Sequence, residues 1–90
     1  MSETVTHELK TIPPYFSLVQ RGIKNFELRK DDRGFRVGDL LWLREYYPET
    51  KQYSGSDCMR RIDYILRDFD GIQEGYCILS ISIPENDNPF

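Results

Sequence analysis

The stretch GIKNFELRK, Gly22 to Lys30, decides how this chain folds. Its glycine stands where a short helix ends, because glycine accepts the left-handed backbone that stops a helix. The residues after it alternate. Phe26 and Leu28 fall on one side, and Asn25, Glu27 and Arg29 on the other, which is the period of a strand. A helix-to-strand junction is therefore predicted at Gly22. It gathers Lys24, Glu27, Arg29 and Lys30 into a single short segment.

Upstream of this junction, HELKTI (residues 7–12) alternates weakly and predicts a short strand. Pro13 and Pro14 follow, at the start of a helix where a missing N–H is harmless. Phe16, Val19 and Gln20 share one face of that helix of about two turns. Downstream, DDRGF and RVGD have turn chemistry and lead into LLWLREYY (residues 40–47), a strand apolar on both faces at its start. Trp42, between Leu41 and Leu43, is assigned to the core. PETKQYSGSD is expected to be a polar loop, broken by Pro48 and Gly55. CMRRIDYILRDF predicts a strand, since Ile62, Tyr64 and Leu66 alternate between turn residues. Arg60 and Arg61 are adjacent there, so at most one joins the motif face. YCILSISI is the clearest strand, stopped by Pro84, and residues 84–90 are expected to form a flexible tail. One early helix and about five strands predict a mainly β (α+β) domain, built as a small, partly closed barrel whose closure removes exposed edges. The chain of 90 residues is expected to be one domain, with its core over about residues 7–83.

Composition narrows the function. The net charge is −3, which excludes a uniformly basic nucleic-acid coat. Yet Arg21 to Arg36 holds six cations and three carboxylates, a local excess of +3. Concentrated Lys and Arg attract phosphates, and Arg grips them bidentately. The competing expectation is a solvated loop of local ion pairs. Cys58 and Cys77 lie in predicted strands and are expected to be free, buried thiols. His7 has no partner triad and is expected to be structural. No Gly-rich phosphate loop, nucleophile elbow, HExxH or zinc spacing occurs, so no metal or cofactor is expected. Without a targeting segment or an apolar run of about 20 residues, a cytoplasmic monomer is expected.

Gly22, Lys24, Glu27 and Arg29 form the pattern G-x-K-x-x-E-x-R, and FRVGDLLWLREY follows it. This pattern resembles the signature of the ASCH domain (activating-signal-cointegrator homology) of the PUA-like superfamily. The resemblance covers roughly His7 to Ile83. HELK, FELRKDDR, GDLLWLREY and EGYCIL are most similar to small phage- and prophage-associated ASCH-like proteins. The resemblance implies a compact β-barrel with a cleft beside its N-terminal helix, used to bind RNA or to handle modified nucleosides. Carried over, Lys24, Glu27 and Arg29 line that cleft, with Lys30 beside them. Arg29 then contacts a phosphate or a base, and Glu27 orients Lys24 or accepts from a base edge.

Three functions follow as expectations. The first is a module that binds RNA or a nucleotide-like ligand. The second is an amidohydrolase acting on an acylated nucleoside such as acetylcytidine. That branch uses a threonine three positions after the lysine, where this chain has Glu27, so the nucleophile is missing. Asp63 or Glu74 would have to serve as its proton-transfer group. Binding is therefore expected over catalysis. The third is a phage accessory protein that binds a host protein, with the motif retained for structure. Among the aromatics, Tyr46 and Tyr47 are placed at the cleft rim as stacking surfaces.

Overall fold

The computed structural model describes residues 4–84, so the expected tail over residues 84–90 lies almost wholly outside the described residues. In chain order the elements are β1 (Thr6–Thr11), α1 (Tyr15–Gln20), β2 (Phe26–Lys30), β3 (Leu40–Tyr47), β4 (Gln52–Leu66) and β5 (Tyr76–Ser82). The expected helix and five strands are all present. They form one sheet in the order β1-β3-β4-β5-β2, with β1 parallel to β3 and every other pair antiparallel. The sheet curls into a half-barrel, and β1 and β2 are its two edges.

The inner face holds the core. On β1 and β3, His7, Leu9 and Thr11 and then Leu41 and Leu43 are buried in strict alternation. Ile62 and the β5 residues Cys77, Leu79 and Ile81 complete that face. The helix supplies Phe16 and Val19, the two residues its spacing puts inward, and Phe35 joins from the loop after β2. Gly22 ends the helix region at φ +78°, with its N–H donating to the Val19 carbonyl. Arg60, inward on β4, donates from Nη2 to that same carbonyl at 3.0 Å and from Nη1 to the Met59 carbonyl. Arg61 faces outward and pairs with Asp63. Two adjacent arginines thus stand on opposite faces, as alternation requires.

His7 is structural, as expected. Its Nε2 lies 2.8 Å from Asp39 Oδ2, both groups are buried, and Asp39 also accepts the backbone N–H of Arg36. This joins the start of β1 to the turn before β3.

Two expectations are corrected. The segment Gln52–Asp57 is strand rather than loop, and Gly55 sits inside β4 at φ +99°. The break falls earlier, in the turn at residues 48–51. Trp42 is not in the core. The β3 residues on the inner face are Leu41 and Leu43, so strict alternation turns Trp42 outward, where its Nε1–H donates to Asp57. The alternation of β2 does not say which side faces in, and the structure supplies the answer. The apolar residues Phe26 and Leu28 face out, 48% and 59% exposed, while Glu27 faces in and is only 3% exposed. The alternation was legible, but its polarity is inverted relative to an ordinary half-buried strand.

Candidate functional site: the seam between the two sheet edges

The two edge strands meet across a seam that side chains bridge. At the two ends of β2, the Asn25 carbonyl accepts from the Ile81 N–H and the Asp31 N–H donates to the Gly75 carbonyl, on the side of β5. The intervening even-numbered residues therefore aim their backbone groups away from β5, toward β1. Arg29 Nη2 reaches from β2 to the Lys10 carbonyl at 2.9 Å and to Thr11 Oγ1 at 3.3 Å. Arg33 Nη1 donates to the Glu8 carbonyl at 2.8 Å. Two guanidinium groups thus occupy outward carbonyls of β1 that would otherwise belong to an open sheet edge.

Behind the seam lies the buried carboxylate of Glu27. Oε2 accepts from Lys24 Nζ at 3.0 Å, and Oε1 accepts from Arg29 Nε and Nη2 at 3.0 and 2.9 Å. Lys24 Nζ also donates to the Phe26 carbonyl at 2.7 Å. A buried carboxylate is tolerated when it is paired and hydrogen-bonded, and here both oxygens are engaged by cations. The inverted register of β2 follows from this arrangement. Placing Glu27 between Lys24 and Arg29 on the inner side obliges Phe26 and Leu28 to point out.

A groove of about 520 Å³ opens along the seam, lined by Lys10, Thr11 and Ile12 of the β1 end, Tyr15 of α1, and Lys24 through Arg29 apart from Asn25. Its walls are largely apolar. Tyr15 is 47% exposed at the mouth, and the Lys24 ammonium lies 5.7 Å from its ring centroid and 4.7 Å from that of Phe26. The groove is therefore an aromatic and aliphatic slot with one cation between two rings and a guanidinium at its floor.

Of the expected site residues, Lys24, Glu27 and Arg29 come together in the groove. Lys30 is exposed on β2 and does not line it. Tyr46 does not line it either. It lies on the outer face of β3, under the ammonium of Lys10 at 4.4 Å. Asp63 and Glu74 lie outside the groove. Thr11 is the one hydroxyl-bearing residue of the Ser/Thr type in its lining, already engaged by Arg29. Sequence reasoning missed Lys10, Thr11, Ile12, Tyr15 and the apolar wall of Phe26 and Leu28. The signal for the first four was present: a cleft beside the N-terminal helix must be bounded by the strand end that enters that helix.

Outside the groove, one carboxylate of the basic segment is paired by a cation just after the end of β4. Arg67 binds Asp31 and the Phe35 carbonyl, pinning the loop after β2. Among the described residues no cluster of His, Cys, Asp and Glu has the arrangement of a metal site. Burial pushes the thiol pKa values of Cys58 and Cys77 up, which leaves both inert near neutrality. Among the described residues no helix is long and apolar enough to cross a membrane.

Comparison with known proteins agrees with this extent of the domain. The chain is 48% identical over 40 residues to an uncharacterized 12.9 kDa protein in the GpA 3′ region of Escherichia phage P2. The matched stretch is 44% of this chain and 37% of that protein. A domain of unknown function, DUF3850, matches residues 6–81, from the first residue of β1 to the penultimate residue of β5. The boundaries of that match are those of the curled sheet, and the chain belongs to the DUF3850 family.

Proposed function

We propose that this protein is an ASCH-like, PUA-like module whose seam groove binds RNA or a nucleotide-like ligand by its base. The observation that carries this reading is the convergence of the G-x-K-x-x-E-x-R side chains with two half-exposed aromatic rings in one groove. A flat heterocycle fits a slot walled by Tyr15, Phe26, Ile12 and Leu28. Stacking and the nearby ammonium of Lys24 favour a π-face there. Lys24 and Arg29 are engaged with Glu27 and with backbone carbonyls, so their role is to shape the slot. Phosphate contact then falls to Lys10, which is exposed at the mouth and has no carboxylate partner among the described residues.

Fluorescence anisotropy with a labelled short single-stranded RNA tests this, with unlabelled mononucleotide as competitor. Wild type is expected to bind, and the mononucleotide to displace the RNA. Tyr15→Ala and Phe26→Ala are expected to weaken binding at least tenfold while remaining folded by circular dichroism. Absence of binding by folded wild type to both RNA and mononucleotide overturns the proposal.

A further inference from the structure

The outer face of β1, β3 and β4 carries a second constellation, separate from the groove lining except at Lys10. Register places Glu8, Trp42 and Met59 in one row across the three strands, and Lys10, Arg44 and Asp57 in the next. Tyr46 and Tyr53 face each other beyond them. The side chains form a continuous ladder. Lys10 lies over Tyr46, whose ring meets that of Tyr53 edge-on at 5.2 Å. The Arg44 guanidinium lies 3.8 Å from the Tyr53 centroid and 4.8 Å from that of Trp42.

This ladder is not part of the core, which occupies the opposite face of the same strands. Tyr53 is 39% exposed, and Trp42 and Tyr46 are partly exposed. The two carboxylates nearby are already committed, Glu8 to Arg44 Nη1 and Asp57 to the Trp42 indole. A guanidinium has five N–H donors, so Arg44 keeps donors free for an incoming phosphate. Lys10 belongs to both the ladder and the groove mouth.

Resting on the groove reading above, we infer that a single strand of nucleic acid leaves the groove over Lys10 and continues across this ladder. Its bases stack beside Tyr46 and Tyr53, and its phosphates meet Lys10 and Arg44. From Tyr46 to Trp42 the ladder runs about 13 Å along β3, which suits a short run of bases. Aromatic rings interleaved with cations match such a strand, because every base has a π-face and every linkage a charge. An apolar protein surface would leave Lys10 without a counter-charge and the remaining donors of Arg44, already paired with Glu8, without acceptors.

The test uses Trp42, the single tryptophan of the chain, as reporter. Uridine monophosphate and oligouridylates of increasing length are titrated against the full chain, with oligothymidylates as the deoxyribose arm. Affinity is expected to rise about tenfold with length and to level off by about four nucleotides, with Trp42 emission quenched only by the oligomers. Tyr53→Ala is expected to bring the oligomer-to-monomer affinity ratio close to one, and Tyr53→Phe to restore it. Monomer binding with no length gain and no change at Trp42 overturns the ladder and leaves the groove standing. Failure of monomer and oligomers alike overturns both.

Discussion

Glu27 is the residue on which the seam depends. Its carboxylate is nearly sealed from solvent and holds Lys24 from the turn and Arg29 from the strand. Glu27→Ala leaves two partly buried cations without their counter-charge. It is expected to destabilise the protein by about 3–5 kcal/mol, read as a lower midpoint in urea denaturation. Glu8→Ala removes an exposed partner of Arg44 and is expected to change stability by less than about 1 kcal/mol. Phe26→Ala separates the two possible roles of β2. A core phenylalanine would lose about 3–5 kcal/mol, but Phe26 faces solvent, so a loss below about 1 kcal/mol is expected, with the effect falling on the binding proposed for the groove. The alternation of KNFELRK showed which residues share a side of β2. It was silent on which side faces in, because periodicity has no sign. The sign was set by Lys24 and Arg29, two cations able to make a buried glutamate less costly than a buried phenylalanine.

At the scale of elements, the strongly periodic segments were legible and the irregular ones were not. YCILSIS presents one apolar face, and its burial pattern follows it residue by residue, while the weaker alternation of HELKT buries His7 and Thr11 on either side of Leu9. The first half of β4 was hidden by Ser54, Gly55 and Ser56, which have turn chemistry and form an irregularity in the strand, carried by the β3 pairing of Gln52 and Tyr53 on one side and Asp57 on the other. Tertiary pairing outweighed local preference there. Trp42 was misplaced for a related reason: LLWL is apolar throughout, so only the neighbouring strands decide which alternate residues go in. The helix end supplies a prediction. Gly22 adopts a left-handed backbone with open space around its Cα. Gly22→Ala is therefore expected to cost about 1–2 kcal/mol through the backbone alone, without a steric clash. A thermal melt is expected to show a lower Tm with unchanged secondary structure below the transition.

For the whole molecule, both thiols lie in the sheet, and burial raises their pKa above the ordinary value of 9.0. In the unfolded chain they ionise first. Their contribution to stability is thus full below pH 9 and is lost as pH rises from there through the folded-state values. Alkaline titration is expected to lower the unfolding midpoint more for wild type than for Cys77→Ala, once each is referenced to its own neutral-pH value. Labelling of Cys77 by a thiol reagent at pH 8 is expected only at the rate of global opening. The order of the sheet has a further bearing, on the timing of assembly. β2 appears early in the chain, yet among the described residues it pairs strand to strand with β5 alone, with Phe26 opposite Ser80 and Lys30 opposite Tyr76. During synthesis, β1, α1 and β3 can associate while β2 still waits for its partner. A nascent chain stalled before Tyr76 therefore presents Phe26 and Leu28 on an unpaired strand and has only one wall of the groove in place. The groove gains its second wall only once β5 has been made, because β2 is held in place by pairing with it.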